Sequence, residues 1–375
     1  MKVLLVGIVT REMAQSAVAA GYEVISLDYF GDSDLPVSAE VYSLTRDFSF
    51  EPELKNLIAA AKTLAGWVDR IIVGAGLENE SGLYDLGKPE TYWTNSSVSV
   101  QKVRDPLVLS NILRGTSMRF PKTFIPGDRL PTSGKWLVKD SRHSGGLGVR
   151  DWDGETALQE YEILQEKIEG KLMSACFLAN RDRAIVLGLS RQFSGVPELG
   201  APAFAWCGNM APYKDSALEK ELSEIVVGLT ETTGLAGVNG MDFILRDDAT
   251  YLLEVNPRWT GSLELFERLY GLNMFQLHVE ACLGRLPGSL TALPFQPVVG
   301  KGVPYAREDI TLGDTSGWRK RGMADVPHSG ETIPAGTPIC TVFADGKDMN
   351  ECWEEIIQKA KALMGQRANK GIIPE

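Results

Sequence analysis

The sequence predicts a mixed α/β protein: a parallel, Rossmann-like βαβ layer in the first quarter, then an α+β unit of antiparallel strands. Three observations lead there. Apolar strand runs alternate with helical stretches up to about residue 100, strand pairs around short polar turns dominate residues 135 to 255, and the chain becomes richer in Gly and Pro after Pro287.

The first strand is Val3 to Ile8. A helical segment, Arg11 to Ala20, a turn at Gly21 and a strand, Glu23 to Asp28, follow. Helix-like Glu51 to Leu64 then leads into the strand Arg70 to Val73 and the loop GAGLENESG. Such a layer binds ligands near the carboxyl ends of its strands. The turn after the first strand reads VGIVTREM and lacks the G-x-G-x-x-G of a dinucleotide site, which argues against a nicotinamide enzyme. From Val100 to Leu113 the pattern is helical, and Pro121, Pro126 and Pro131 punctuate a loop before the strand KWLVKD. Helices are expected at Asp215 to Thr233, Ser262 to Leu283 and Met349 to Met364, with late strands at Pro297 to Val303 and Pro338 to Phe343. The expected units are residues 1–100, an N-terminal βαβ domain; 101–163, a first subdomain with a Gly-rich loop; 164–290, a second subdomain with an acidic hairpin; and 291–375, a β-rich cap with a helix.

A chain of 375 residues, 44% hydrophobic and 23% charged, can bury more than one core. Its formal charge of −11, with no run of Lys or Arg, argues against a general grip on nucleic acid or an anionic membrane. A small-molecule partner is expected, and any phosphate must be held by local loops, single cations and metal ions. The N-terminus lacks the pattern of a signal peptide, and no apolar run approaches the ~20 residues that span a bilayer. Five scattered cysteines, never in a C-x-x-C pair, support neither a disulfide framework nor a zinc ribbon. A cytoplasmic setting and five buried thiols are expected. Dimers are the commonest closed assembly, so a homodimer is the default oligomer.

Three segments carry the chemistry. In WLVKDSRHSGGLGVRDW, residues 136 to 152, a strand delivers Lys139 and a loop with Gly145, Gly146 and Gly148 returns the chain to a second strand at Val149. Glycines let backbone N–H groups approach an anion, and the lysine adds a point charge. A plain hairpin turn is the alternative. In LQEKIEGK, residues 164 to 171, a strand ending at Gly170 offers an edge that could read a flat heterocycle, or be an ordinary strand end. In GMDFILRDDATYLLEVNPRWTG, residues 240 to 261, a polar turn between apolar strands sets up an antiparallel hairpin. A turn centred near Asp248 puts Asp242 opposite Glu254, with Asn256 on the same face. Two carboxylates and an amide suit Mg²⁺, or Mn²⁺, whereas a carboxylate pair facing an apolar core would be costly. His143 lies in the glycine loop, His278 reads as structural, and Trp206 and Tyr213 are candidates to line a substrate cavity.

In their order, these features resemble the ATP-grasp superfamily: a βαβ domain, a strand lysine with a Gly-rich loop, an adenine-reading strand and a D…E-x-N hairpin. Within it, the GLEN loop, the RDP segment and PICTVFADG are similar to predicted ATP-dependent carboligases related to biotin carboxylase. The resemblance implies an ATP-grasp fold behind a pre-ATP-grasp domain. It implies that Lys139 contacts the α- and β-phosphates of ATP while Ser144, Gly145, Gly146 and Gly148 close over them. It assigns adenine to the backbone of Gln165, Glu166, Lys167 and Ile168, metal to Asp242, Glu254 and Asn256, and the transferring phosphoryl group to Arg258. Three departures stand out. Asp105-Pro106 replaces an Asp-Lys pair, with Lys102 or Arg104 as substitute; Leu172 stands where a ribose-binding acid is common; and Gly240 stands where ligases of the D-alanine type have arginine. The implied activity is carboxylate–amine ligation through an acyl phosphate, releasing ADP and phosphate, on a carboxylate and an amine or amino acid. Carboxylation with bicarbonate and a non-catalytic ATP-binding role are the alternatives.

Overall fold

The computed structural model describes residues 1–78, 80–246, 249–288 and 297–365. The N-terminal layer contains β1 (Lys2–Val6), α1 (Arg11–Ala19), β2 (Glu23–Asp28), β3 (Glu40–Ser43), α2 (Leu44–Asp47), α3 (Leu54–Leu64) and β4 (Arg70–Val73). Its strands are parallel in the order β3-β2-β1-β4. Both faces are covered, so β1 reads as an unbroken apolar run with Val3 to Val6 fully buried. The loops that follow β1, β2 and β4 therefore gather at one end of the sheet.

Two helices, α4 (Ser97–Arg104) and α5 (Pro106–Ile112), stand where one was expected. Pro106 cannot continue α4, and Asp105 instead caps α5 by accepting from the Leu107 amide at 2.8 Å. A small antiparallel sheet follows: β5 (Thr123–Phe124), β6 (Trp136–Asp140), β7 (Val149–Asp151) and β8 (Glu162–Glu166), in the order β5-β8-β6-β7.

The main sheet starts with β9 (Lys171–Asn180), β10 (Ala184–Ser194) and β11 (Trp206–Ala211). After α6 (Ser216–Thr233) come β12 (Ala236–Arg246) and β13 (Ala249–Asn256), then α7 (Leu263–Tyr270) and α8 (Met274–Cys282). Gly271, with φ of 61°, closes α7 where a single helix was expected. The last stretch supplies β14 (Val298–Gly302), β15 (Ile310–Thr311), β16 (Met323–Ala324), β17 (Thr332–Ile333), β18 (Thr341–Gly346) and α9 (Met349–Met364). Eight strands form one sheet, β13-β12-β9-β10-β11-β14-β18-β16, so the late strands extend the central sheet. α6 packs on one face through Leu222, Ile225, Val226 and Leu229, all buried. The other face is covered by α7 and α8 and shares an apolar core with the N-terminal layer through Cys176, Leu178, Leu187 and Val238. All five cysteines are buried and free, as their scatter suggested. No helix among the described residues is long and apolar enough to cross a membrane.

Candidate active site

The hairpin of β12 and β13 has the register its alternation predicts: Asp242 is opposite Glu254 and Gly240 opposite Asn256. Its turn at residues 247–248 lies outside the described residues. Directly paired residues share a face, so the two carboxylates point the same way. Asn256 Nδ2 donates to Asp242 Oδ2 at 3.0 Å. Burial and the neighbouring charge of Glu254 push the Asp242 carboxyl up to about 7. Burial alone would raise Glu254 too, but the charges of Lys139, Arg104 and Arg258 outweigh it and hold that carboxyl below its ordinary value. Two half-buried carboxyls facing each other are an arrangement that a hard divalent ion suits. Among the described residues no group of three or more His, Cys, Asp or Glu is placed to hold a metal. The chain thus offers two carboxylates and a nearby amide, as Mg²⁺ sites completed by phosphate oxygens and water do.

Lys139, on β6, lies close enough to this pair for the charges of Glu254 and Asp242 to stabilise its own. Burial nevertheless lowers its pKa. The loop between β6 and β7 is folded onto the main sheet. Gly145 O accepts from the Trp206 amide at 2.8 Å, and a Cβ on Gly146 would lie 2.0 Å from Phe204 O. Only glycine, here at φ of 81°, allows that approach. A Cβ on Gly148 would likewise crowd Asp140 O at 2.9 Å. Ser144 lies in the same loop, where its carbonyl accepts from the Leu147 amide at 3.4 Å. His143 Nδ1 is 3.3 Å from Asp140 Oδ2, an acid partner the motif did not suggest.

The expected free edge is not found along β8, which ends at Glu166 with Lys167 and Ile168 beyond it. β8 is interior, flanked by β5 and β6. The Glu166 amide donates to Lys122 O at 2.8 Å and the Lys167 amide to Lys135 O at 2.9 Å, so neither amide is open to a ring. Sequence patterning missed this because β5 is only two residues long. Gln165 pairs with Leu137 and Ile163 with Lys139, so the Gln165 side chain shares the face of Lys139. It is 1% exposed, and its Oε1 has no hydrogen-bond partner among the described residues. Beside this segment lies a cleft of about 290 Å³ lined by Trp136, Glu166, Lys167 and Arg246 among others.

Arg258 is anchored on three sides. Its Nε donates to Glu78 Oε1 at 2.6 Å, its Nη2 to Asn256 Oδ1 at 3.2 Å and its Nη1 to Trp259 O at 3.2 Å. Arg104 Nη2 donates to the same Glu78 oxygen at 3.1 Å. The pair of candidates for the missing lysine is therefore separated. Arg104 influences both Glu254 and Lys139, whereas Lys102 Nζ donates to Thr232 O at 2.8 Å. Glu78 was given no role in the sequence reading, although it stands in the GLEN loop; a second signal was its place after β4, at the carboxyl end of a parallel strand. His278 is structural as expected: it is 3% exposed, its Nδ1 accepts from the Val238 amide at 3.1 Å and its Nε2 lies 2.8 Å from Trp93 O. Trp206 Nε1 donates to Asn209 Oδ1 at 2.7 Å, and Tyr213 packs against the core beneath α6.

Residues 103–262 match the family model described as an ATP-grasp domain. An uncharacterized protein of Methanocaldococcus jannaschii is 24% identical over 371 residues, covering 92% of this chain and 88% of that one. A tyramine–L-glutamate ligase of the same organism is 25% identical over 248 residues, covering 64% of this chain and 71% of that one. Among solved structures, an L-amino acid ligase from Bacillus licheniformis superposes with a TM-score of 0.66 at 14% identity, covering 96% and 97% of the two chains. The facing carboxylates, the lysine strand with its glycine loop and the βαβ layer thus lie in a chain that has the ATP-grasp fold along nearly its whole length and an ATP-grasp domain at its centre.

Proposed function

We propose that the chain is an ATP-dependent carboxylate–amine ligase. The observation that supports the reading is the facing Asp242–Glu254 pair with the charge of Lys139 beside it, on the strand that leads into the glycine loop. Asp242, Glu254 and Asn256 would hold Mg²⁺, which supplies charge neutralisation at the phosphates. Lys139 would meet the α- and β-phosphates as a point charge, and the loop from Ser144 to Gly148 would close over them. Arg258, fixed by Glu78 and Asn256, sits where negative charge grows on the moving phosphoryl group. The terminal phosphoryl passes from ATP to a carboxylate oxygen, giving an acyl phosphate and ADP. An uncharged amine then attacks the acyl carbon, phosphate leaves, and the amine nitrogen loses one proton as the amide forms. An M. jannaschii relative whose name joins an amine, tyramine, to an amino acid, L-glutamate, supports this acceptor class.

The test is release of ADP and phosphate from Mg-ATP across a panel of amino acids, amines and short carboxylates. Amine-dependent release that disappears in Asp242→Asn is expected. Release that depends on bicarbonate and ignores every amine would replace this reading with carboxylation, and no release under any condition would leave a nucleotide-binding protein without turnover.

A further inference from the structure

Glu78 is 5% exposed and lies on the loop after β4, outside the ATP-grasp domain that it touches. Its Oε1 takes hydrogen bonds from Arg258 Nε at 2.6 Å and Arg104 Nη2 at 3.1 Å, and its Oε2 takes one from the Gly76 amide at 2.8 Å. One carboxylate thus holds two guanidinium groups that would otherwise repel each other. The chain of contacts continues from Arg258 to Asn256 Oδ1 and from Asn256 Nδ2 to Asp242 Oδ2. Arg104 is only partly used by this arrangement: its Nε is buried and has no hydrogen-bond partner among the described residues. A buried donor left unmet costs free energy unless something supplies an acceptor, and the rest of the Arg104 side chain, 29% exposed, is open to one. Nearby Lys139 adds positive charge to the same region.

We propose that Glu78 is a positioning residue for phosphoryl transfer, holding Arg104 and Arg258 side by side so that Arg104 meets the terminal phosphoryl oxygens of the bound nucleotide. The inference rests on the ATP-dependent reading above. It also gives the N-terminal layer a part in the chemistry. A group on the loop after β4 sets two cations of another domain, so the loops that would meet the second substrate also set the geometry at the nucleotide. Glu78 itself touches no reacting atom.

Because Arg104 and Arg258 would meet only the terminal phosphoryl, the discriminating quantity is the ratio of affinities for the β,γ-imido analogue of ATP and for ADP, each with Mg²⁺, measured by calorimetry. Glu78→Gln is expected to reduce that ratio about tenfold, the weight of one charge-assisted contact, while ADP affinity stays within about twofold. Glu78→Asp keeps the charge on a shorter arm and should lower the ratio only about threefold; it carries the test alone if the Gln variant fails to fold. Arg104→Ala should lower the ratio at least as much as Glu78→Gln. An unchanged ratio in the Glu78 variants, or an equal loss for both nucleotides, overturns the proposal and leaves the ligase reading standing. A wild-type protein that binds neither nucleotide in the presence of Mg²⁺ overturns both.

Discussion

Two clusters of charge, one buried and one half-buried, lie at the junction of the N-terminal layer with the main sheet, and they are built on opposite plans. In the first, Arg11 is 1% exposed and all five of its donors are accounted for. Nη1 reaches Glu264 Oε1 at 2.6 Å and Gln15 Oε1 at 3.2 Å, Nη2 reaches Glu264 Oε2 at 2.9 Å and Asp325 Oδ2 at 3.3 Å, and Nε reaches Asp325 Oδ1 at 2.9 Å. Lys301 joins in through Glu12 at 3.2 Å and Glu264 at 3.3 Å. In the second cluster the accounts stay open. Asp242 and Glu254 set two carboxyls against each other, so that Asp242 is pushed up to about 7, and Arg104 Nε is unmet. A cluster that satisfies itself is a clasp, whereas one that leaves charge and donors unmet is shaped for something that arrives later.

The largest effect that would break this contrast is expected at the open cluster. Glu254→Gln should cut turnover about a thousandfold or more, by analogy with the loss of electrostatic groups at phosphoryl-transfer sites, while circular dichroism and the unfolding midpoint stay near wild type. If stability collapses instead, Glu254 belongs to a clasp after all. At the closed cluster the signs reverse. Arg11→Met leaves Glu264 and Asp325 buried without their partner and should cost about 3–5 kcal/mol in urea unfolding, with nucleotide affinity in the surviving folded protein little changed.

The smallest effect is a pH dependence. Burial, opposed by Lys301, pushes the Glu12 carboxyl up to about 7. Its folded value lies above the unfolded one of about 4.3, so the stability it contributes is complete below that value and is lost as the pH rises through 7. Glu12→Gln has no proton to lose and should gain on the wild type across this window. Glu264 behaves in the opposite sense. Burial would raise it, but the charges of Arg11 and Lys301 and a hydrogen bond from Arg11 hold it well below the usual range. Its contribution is present above about pH 4.3 and fails on further acidification. Equilibrium unfolding of both proteins between pH 5 and 8 would show whether the Glu12 window exists.

The two clusters were unequally legible in the sequence. Asp242, Glu254 and Asn256 could be paired from alternation about one turn, because a hairpin brings near neighbours in sequence together and the side-chain period of a strand is two. Lys139 and its glycines were legible for the same local reason. Arg11 lies 253 residues from Glu264 and 314 from Asp325 with no periodic signal to link them, so only the folded chain unites them. Glu78 was one of two acids in the loop GAGLENESG, with nothing in the sequence to join it to Arg104 and Arg258. The interior position of β8 was hidden by the shortness of β5, and the breaks after Arg104 and at Gly271 were overrun by patterns that looked continuous on both sides.

The Arg11–Asp325 contact joins positions 314 residues apart, and the Ser33 amide donates to Val326 O across 293. β11 finds its second neighbour only in β14, and β14 in β18. On the ribosome, the first helix would therefore wait for almost the entire chain before its buried charge is neutralised, and β11 would stay an open edge until the last quarter emerges. Fragments ending before residue 297 should be prone to edge-to-edge association, and the closing of this very long loop should govern how fast the native state is reached.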